Sequence, residues 1–300
     1  MNRLIRIACL LFSGLLCLLA CTPKKSDKAQ IQQALASLHK EKAAPQPGEW
    51  LSEHKEKYQT LGEYIRLKPT QADSIRNKIY IVRIGAFTTA ESQIVSKTAN
   101  YLRLFYGLEV RYMRLPDTTK YLQGSRERMD TGLGRQLNAS HILNGILAPV
   151  LPSDAAVLIA LTNVDLYPGN DWNYIFGLAS LKKRVGVWSM KRFGVPDNPR
   201  EFDKCFQRTI RTATHEIGHM FSLRHCVKYE CCMNGSNNLF ELDDRPTYFC
   251  PDCLAKYCWN FKQPAALHLN RVKSFWQEEK NTQLTQFYNQ SLEALADQEK

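Results

Sequence analysis

Residues 215–225 read His215-Glu216-Ile217-Gly218-His219-Met220-Phe221-Ser222-Leu223-Arg224-His225. On a helix, residues four apart leave the same face, so His215 and His219 can aim at one point about a turn apart. The helix itself is legible upstream. Asn198 is a capping residue, Pro199 suits the first helical position, and Glu201 follows three residues after the cap. Phe206, Ile210, Ala213, Ile217 and Phe221 then recur on one face. The two histidines point away from that apolar stripe. His225 cannot share a straight helix face with them, so the chain must turn sharply near Ser222. With 7 His in the chain, an HExxH match arises by chance in roughly one chain in a hundred, and the third histidine lowers that about forty-fold. Three neutral imidazoles with an open fourth position are a zinc arrangement suited to catalysis. Glu216, next to the first ligand, would take a proton from the zinc-activated water and return it to a leaving amine.

Outward from this helix, the body alternates strands and helices. Residues 79–84 are a β-rich run ending at Gly85. A helical stretch follows through Ile94, Ala99, Leu102 and Phe105, closed by Gly107. Residues 108–115 alternate as a second strand and stop at Pro116; residues 135–147 read as a second helix, and 156–161 as a buried strand. Two further runs, 172–180 and 184–192, are joined by only 181–183, too short for a crossover helix, so they pair antiparallel. The expectation is an α/β fold: a twisted mixed sheet of roughly five strands with an antiparallel edge strand, packed by helices. The edge segment Phe176, Gly177 and Leu178 could pair with an extended peptide, or could be a covered strand with no ligand.

Cysteine is very unevenly placed. Cys9, Cys17 and Cys21 lie near the start, none falls between 22 and 204, and seven lie between Cys205 and Cys258. A clump at one end of a long chain points to metal ligands. Cys226 with Cys231 and Cys250 with Cys253 make two close pairs that a tetrahedral Cys₄ zinc accepts; two disulfides are the rival in an exported chain. Cys205, Cys232 and Cys258 read as buried thiols, or as one disulfide with a cysteine left over.

The order His215, His219, His225 with Met233 close behind resembles the metzincin zinc peptidases. More narrowly, His225-Cys226, Cys231-Cys232-Met233, Asn234-Gly235-Ser236-Asn237 and Arg245-Pro246 through Cys250-Pro251-Asp252-Cys253 resemble the archaemetzincin family. So do Asp165-Leu166-Tyr167-Pro168 and Phe176-Gly177-Leu178-Ala179. The resemblance covers roughly residues 76–260. It implies a metzincin-like catalytic domain over 76–262 and a zinc peptidase activity. It also implies two Zn²⁺ per chain: one catalytic, on the three histidines, and one structural, on Cys226, Cys231, Cys250 and Cys253, within a zinc-stabilised segment 226–253. Met233 would form a floor beneath the catalytic zinc in a tight turn. Ser222 departs from the family, which places Gly there for a left-handed backbone. Serine costs roughly 1–2 kcal/mol in that geometry, which puts the position of His225 in question. Tyr229, Tyr248 and Arg245 are the nearby candidates for stabilising an oxyanion.

The remainder bounds the partners. Lys and Arg number 40 against 29 Asp and Glu, a net charge of +11, yet the charges are scattered and no nucleic-acid motif is present. Arg3 and Arg6 precede an apolar run, 7–20, too short for a good membrane span and suited to a signal peptide. Leu18-Leu19-Ala20-Cys21 resembles a bacterial lipobox. That implies lipidation of Cys21, export to the envelope and, from Thr22, sorting to the outer membrane; an uncleaved anchor is the alternative. Residues 21–75 read as a tether with little core, and 263–300 as a helical tail. The expected protein is a monomeric, membrane-anchored zinc peptidase acting on peptides or proteins. A catalytically weak peptide-binding module is the second reading, favoured by Ser222 and opposed by the intact Glu216.

Overall fold

The computed structural model describes residues 25–115, 128–130, 132, 134–169 and 173–298. The leader 1–20, Cys21, Thr22, Pro116 and Trp172 lie outside the described residues. The chain opens with α1 (Lys25–Leu35), α2 (Trp50–Glu53) and α3 (Leu61–Arg66), then enters the sheet at β1 (Lys78–Ile84). α4 (Thr89–Tyr106) starts at a reciprocal capping box between Thr88 and Glu91 and stops at Gly107, whose φ of 65° is the left-handed cap glycine favours. β2 (Glu109–Met113), β3 (Arg128–Asp130) and β4 (Gly134–Asn138) follow, then α5 (Ala139–His141), which continues as a π-helical turn over Ile142–Leu147. β5 (Ala155–Thr162), β6 (Asp165–Tyr167), β7 (Gly177–Ala179) and β8 (Val185–Ser189) complete the strands. Five helices end the chain: α6 (Pro199–Met220), α7 (Leu239–Asp244), α8 (Pro251–Phe261), α9 (Ala265–Glu278) and α10 (Thr282–Asp297).

The main sheet has the order β2-β1-β5-β8-β7. Every pairing is parallel except β7 with β8, which is antiparallel and leaves β7 at the edge, as the short connection demands. β5 is buried at all eight positions, which is what a continuous apolar run becomes when both sheet faces are covered. One face packs Ile94 and Phe105 of α4 with Ile210 and Ile217 of α6. The other packs Ile142, Leu143, Ile146 and Leu147 of the π-turn.

Three expectations change. The helix expected over 135–147 begins only at Ala139. Residues Gly134–Asn138 are instead a strand of a small second sheet, β3-β4-β6, because the Gln136 amide donates to Asp165 (2.7 Å) and the Asn173 carbonyl (2.9 Å). Asn138 then caps the helix by accepting from His141 N–H. Of the run 172–180 only Gly177–Ala179 pairs with β8; Ile175 bridges to Leu166, and Phe176 lies just outside the strand. Residues 25–75 are not free of core. Ile31, Leu35 and Tyr64 are buried, each worth roughly 2 kcal/mol relative to exposure, and α1 lies against α8 and α10. Their contacts join residues far apart in sequence, such as Tyr64 O–H to the Phe221 carbonyl (2.7 Å), so local periodicity cannot show them. Residues 265–297 form two helices whose Phe275, Trp276 and Tyr288 are buried. Among the described residues no helix is long and apolar enough to cross a membrane.

Candidate metal centre and active site

α6 delivers the two histidines. Asn198 Oδ1 accepts from the N–H groups of Arg200 and Glu201, and Phe206, Ile210, Ala213 and Ile217 anchor the apolar face. The helix ends in a Schellman turn, with Leu223 N–H donating to the Gly218 carbonyl (3.0 Å) and Ser222 N–H to that of His219 (2.8 Å). Ser222 occupies the left-handed position, at φ 67°. Its hydroxyl donates to the Leu181 carbonyl (3.2 Å) and accepts from Thr70 N–H (3.3 Å), while Gln59 donates to its carbonyl. The turn therefore forms without glycine and returns His225 to its partners. Ring centroids of the three histidines are 4.4, 5.1 and 4.9 Å apart.

Each imidazole is fixed through Nδ1. His215 Nδ1 donates to the Cys232 carbonyl (3.0 Å), His219 Nδ1 to the Leu223 carbonyl (2.7 Å) and His225 Nδ1 to the Glu56 carboxylate (2.7 Å). With the proton on Nδ1, each Nε2 presents a lone pair to the shared centre. The Nε2 atoms of His215 and His219 stand 3.0 Å apart. Two lone pairs that close repel unless a cation lies between them, and ligand nitrogens on one tetrahedral zinc are about 3.3 Å apart. The donor set therefore fits zinc. Burial drives His215 well below the usual imidazole range, with the Arg245 charge acting the same way, and drives His219 down to about 3. Both are thus neutral, the form a metal would require. Arg245 Nη1 sits 3.2 Å from His215 Nδ1 and donates to the Asn234 carbonyl (2.9 Å). Arg245 borders the catalytic cleft, but Tyr229 and Tyr248 do not.

Glu216 is buried, and desolvation pushes its carboxyl up to about 8 against the pull of Arg245. It lies against the edge strand: a Cβ added at Gly177 would come 2.6 Å from Glu216 Oε1. Glycine there lets carboxylate and strand backbone meet in a cleft of about 750 Å³ that also borders Phe176 and Leu178. Met233 is fully buried in the 231–234 turn, against the helix turn that carries both imidazoles; a Cβ at Gly218 would meet its Sδ at 2.4 Å.

Cys226, Cys231, Cys250 and Cys253 converge as a second, wholly buried group. The Sγ atoms of Cys226 and Cys250 are 3.6 Å apart, far beyond a disulfide at about 2.05 Å and close to the roughly 3.8 Å between sulfurs on one tetrahedral zinc. Cys231 Sγ accepts from Cys250 N–H and Cys250 Sγ from Cys253 N–H. Hydrogen bonds from the other three sulfurs drive the Cys226 thiol down, while burial drives Cys231 and Cys250 up. A divalent ion would let all four thiols ionise. Cys205, Cys232 and Cys258 are buried, and none of them forms a disulfide among the described residues.

The residue that sequence reasoning missed is Glu56. Burial raises its carboxyl, but the hydrogen bond and charge of His225 outweigh that and hold it below the ordinary carboxylate range. Trp50 stacks on His54 and meets His225 edge-on, seated over Gly235, where a Cβ would clash at 2.4 Å. No motif marks Glu56, since its partner is 169 residues away.

A helix bearing two histidines, a third beyond a left-handed turn, a methionine beneath and a glutamate against an edge strand together define a metallopeptidase of the metzincin class. Residues 154–258 match Peptidase family M54. The chain is 32% identical over 243 residues to archaemetzincin-2 of Homo sapiens, covering 70% of this chain and 67% of that protein. It is 32% identical over 182 residues to archaemetzincin of Pyrococcus abyssi, covering 59% and 93%. The crystal structure of archaemetzincin from Archaeoglobus fulgidus complexed with malonate aligns with 29% identity and TM-score 0.47 over 60% of this chain and 99% of that one. The chain belongs to the archaemetzincin family and is a zinc metallopeptidase.

Proposed function

We propose that the protein hydrolyses peptide bonds at the His215, His219, His225 centre, with Glu216 as general base and then general acid. The convergence of three Nε2 atoms beside the Glu216 carboxylate, in a cleft bordered by the edge strand, carries this reading. A zinc ion bound there supplies the Lewis acidity that makes water nucleophilic near neutral pH and polarises the scissile carbonyl. Glu216 takes the water proton on its carboxylate and delivers it to the leaving nitrogen. β7 offers its unpaired edge to an extended substrate, with Phe176, Gly177 and Leu178 beside the scissile bond. Cys226, Cys231, Cys250 and Cys253 hold a second, structural zinc, and Met233 supports the catalytic site from below.

Glu216→Gln tests the assignment: hydrolysis should fall by about 10² or more while zinc content stays at wild-type level, and retained hydrolysis removes Glu216 from the mechanism. Two zincs per chain with the seven cysteines from Cys205 to Cys258 titrating as thiols after denaturation support both sites; one zinc with disulfides removes the structural one. The rival peptide-binding module rests on Ser222, and the hydrogen bonds that hold Ser222 in its turn weigh against it. We also propose that Cys21 is lipidated and anchors a monomer to the cell envelope, at the outer membrane. Loss of membrane association in Cys21→Ala is the expected result.

A further inference from the structure

A second cavity of about 530 Å³ lies beside the catalytic cleft and shares Leu181 and Arg224 with it. Lys68, Arg76, Lys182, Arg184 and Arg224 line this cavity, and no acidic residue among the described ones does. Arg76 is neutralised by Asp73, and Arg184 donates to the Ala155 carbonyl. Lys68, Lys182 and Arg224 have no ion-pair partner among the described residues. Glu63 senses Arg224, but its carboxylate is engaged by the N–H and hydroxyl of Thr60. Lys68, Arg184 and Ser222, which line this cavity, are three of the five non-glycine residues at positive φ among the described residues.

Its position relates it to the site. The segment 181–184 runs directly on from β7, the strand against Glu216. At about 3.3 Å per residue the four steps from Gly177 to Leu181 span at most ~13 Å, so an extended substrate on β7 reaches the cavity three or four residues from the scissile bond. We propose that the cavity is a subsite for an acidic side chain of the substrate, and that the enzyme prefers peptides bearing Asp or Glu at that distance. This rests on the peptidase reading above.

The test uses C-terminally amidated peptides identical except for Glu or Gln three and four residues to either side of the cleaved bond. Wild type should favour the Glu peptide by about five- to tenfold in kcat/KM, mostly through KM. The ratio should fall toward one in Lys68→Gln/Lys182→Gln, whose side chains are both exposed, and in wild type as salt approaches about 0.5 M. A wild-type ratio near one overturns the subsite and leaves the peptidase reading standing. If neither peptide is cut, the peptidase reading falls, and polarisation binding of a labelled hexaglutamate amide decides the subsite. Tighter binding by wild type than by the double variant supports it, and equal binding overturns it. Lysine-dependent binding to phosphatidylglycerol vesicles without binding of the peptide overturns it as well, in favour of a membrane-facing surface.

Discussion

Glu56 shows how much of this site depends on a single side chain outside the histidine motif. Its carboxylate accepts from His225 Nδ1 and so fixes which nitrogen of the ring faces the metal. A carboxylate in that position typically governs metal affinity by about 10–100-fold. Glu56→Gln, which keeps shape but loses charge, should weaken zinc by that order in a competition titration with a chromophoric chelator, and Glu56→Asp should recover part of it. Unchanged affinity in both would reduce Glu56 to a bystander. Ser222 presents a balance of opposed terms. Its left-handed backbone costs roughly 1–2 kcal/mol, offset by two hydroxyl hydrogen bonds worth about 0.5–1.5 kcal/mol each. Ser222→Gly should therefore stay within about 1 kcal/mol of wild type in urea unfolding, whereas Ser222→Ala, which keeps the strain and loses the bonds, should lose about 1 kcal/mol. A gain of about 1–2 kcal/mol in the glycine variant, the full strain, would mean that the hydroxyl contributes nothing.

At the scale of elements, β7 and α6 are coupled through one missing side chain. Glu216 Oε1 occupies the space where a Cβ at Gly177 would sit, so Gly177→Ala must displace either the carboxylate or the strand. Misplacement of a reacting group by about 1 Å can cost up to 10²-fold in rate. We expect at least a tenfold fall in kcat, with zinc content and circular dichroism retained. Full activity would show that Glu216 works from another position. The same strand is short, three residues, and leads at once into the basic segment 181–184, so catalytic and recognition chemistry share one edge of the sheet.

For the whole molecule, two buried histidines outside the three-histidine cluster contribute to the response to acid. His39 sits among Tyr229, Tyr248 and Phe287, and burial lowers it to about 4. His268 donates from Nδ1 to the Phe105 carbonyl, and burial lowers it to about 3. Unfolded, both titrate near 6.5, so below that pH the unfolded chain binds more protons than the folded one. Their stabilising contribution is full above pH 6.5 and is lost as the pH falls toward 4. The slope approaches about 1.4 kcal/mol per pH unit for each. Urea midpoints should drop steadily between pH 6.5 and 4, and a variant with Gln at position 268 should flatten that slope by one proton. An unchanged slope in the variant would exclude His268 as a source.

The chemistry that depends on short spacing was legible in the chain. His215 and His219 four apart, the cap at Asn198, the cysteine pairs and the tight 181–183 link all act within a few residues, where backbone geometry leaves few choices. Tertiary structure decided what depends on distant partners. Gln136 meeting Asp165 made a strand of a stretch with helical character. Tyr64 and Ile31 found a core across nearly the whole chain. Glu56 reached His225 because the segment that carries it packs back through α1 and α3 on the late helices α8 and α10. Side chains at such separations carry no shared period, so packing alone brings them together.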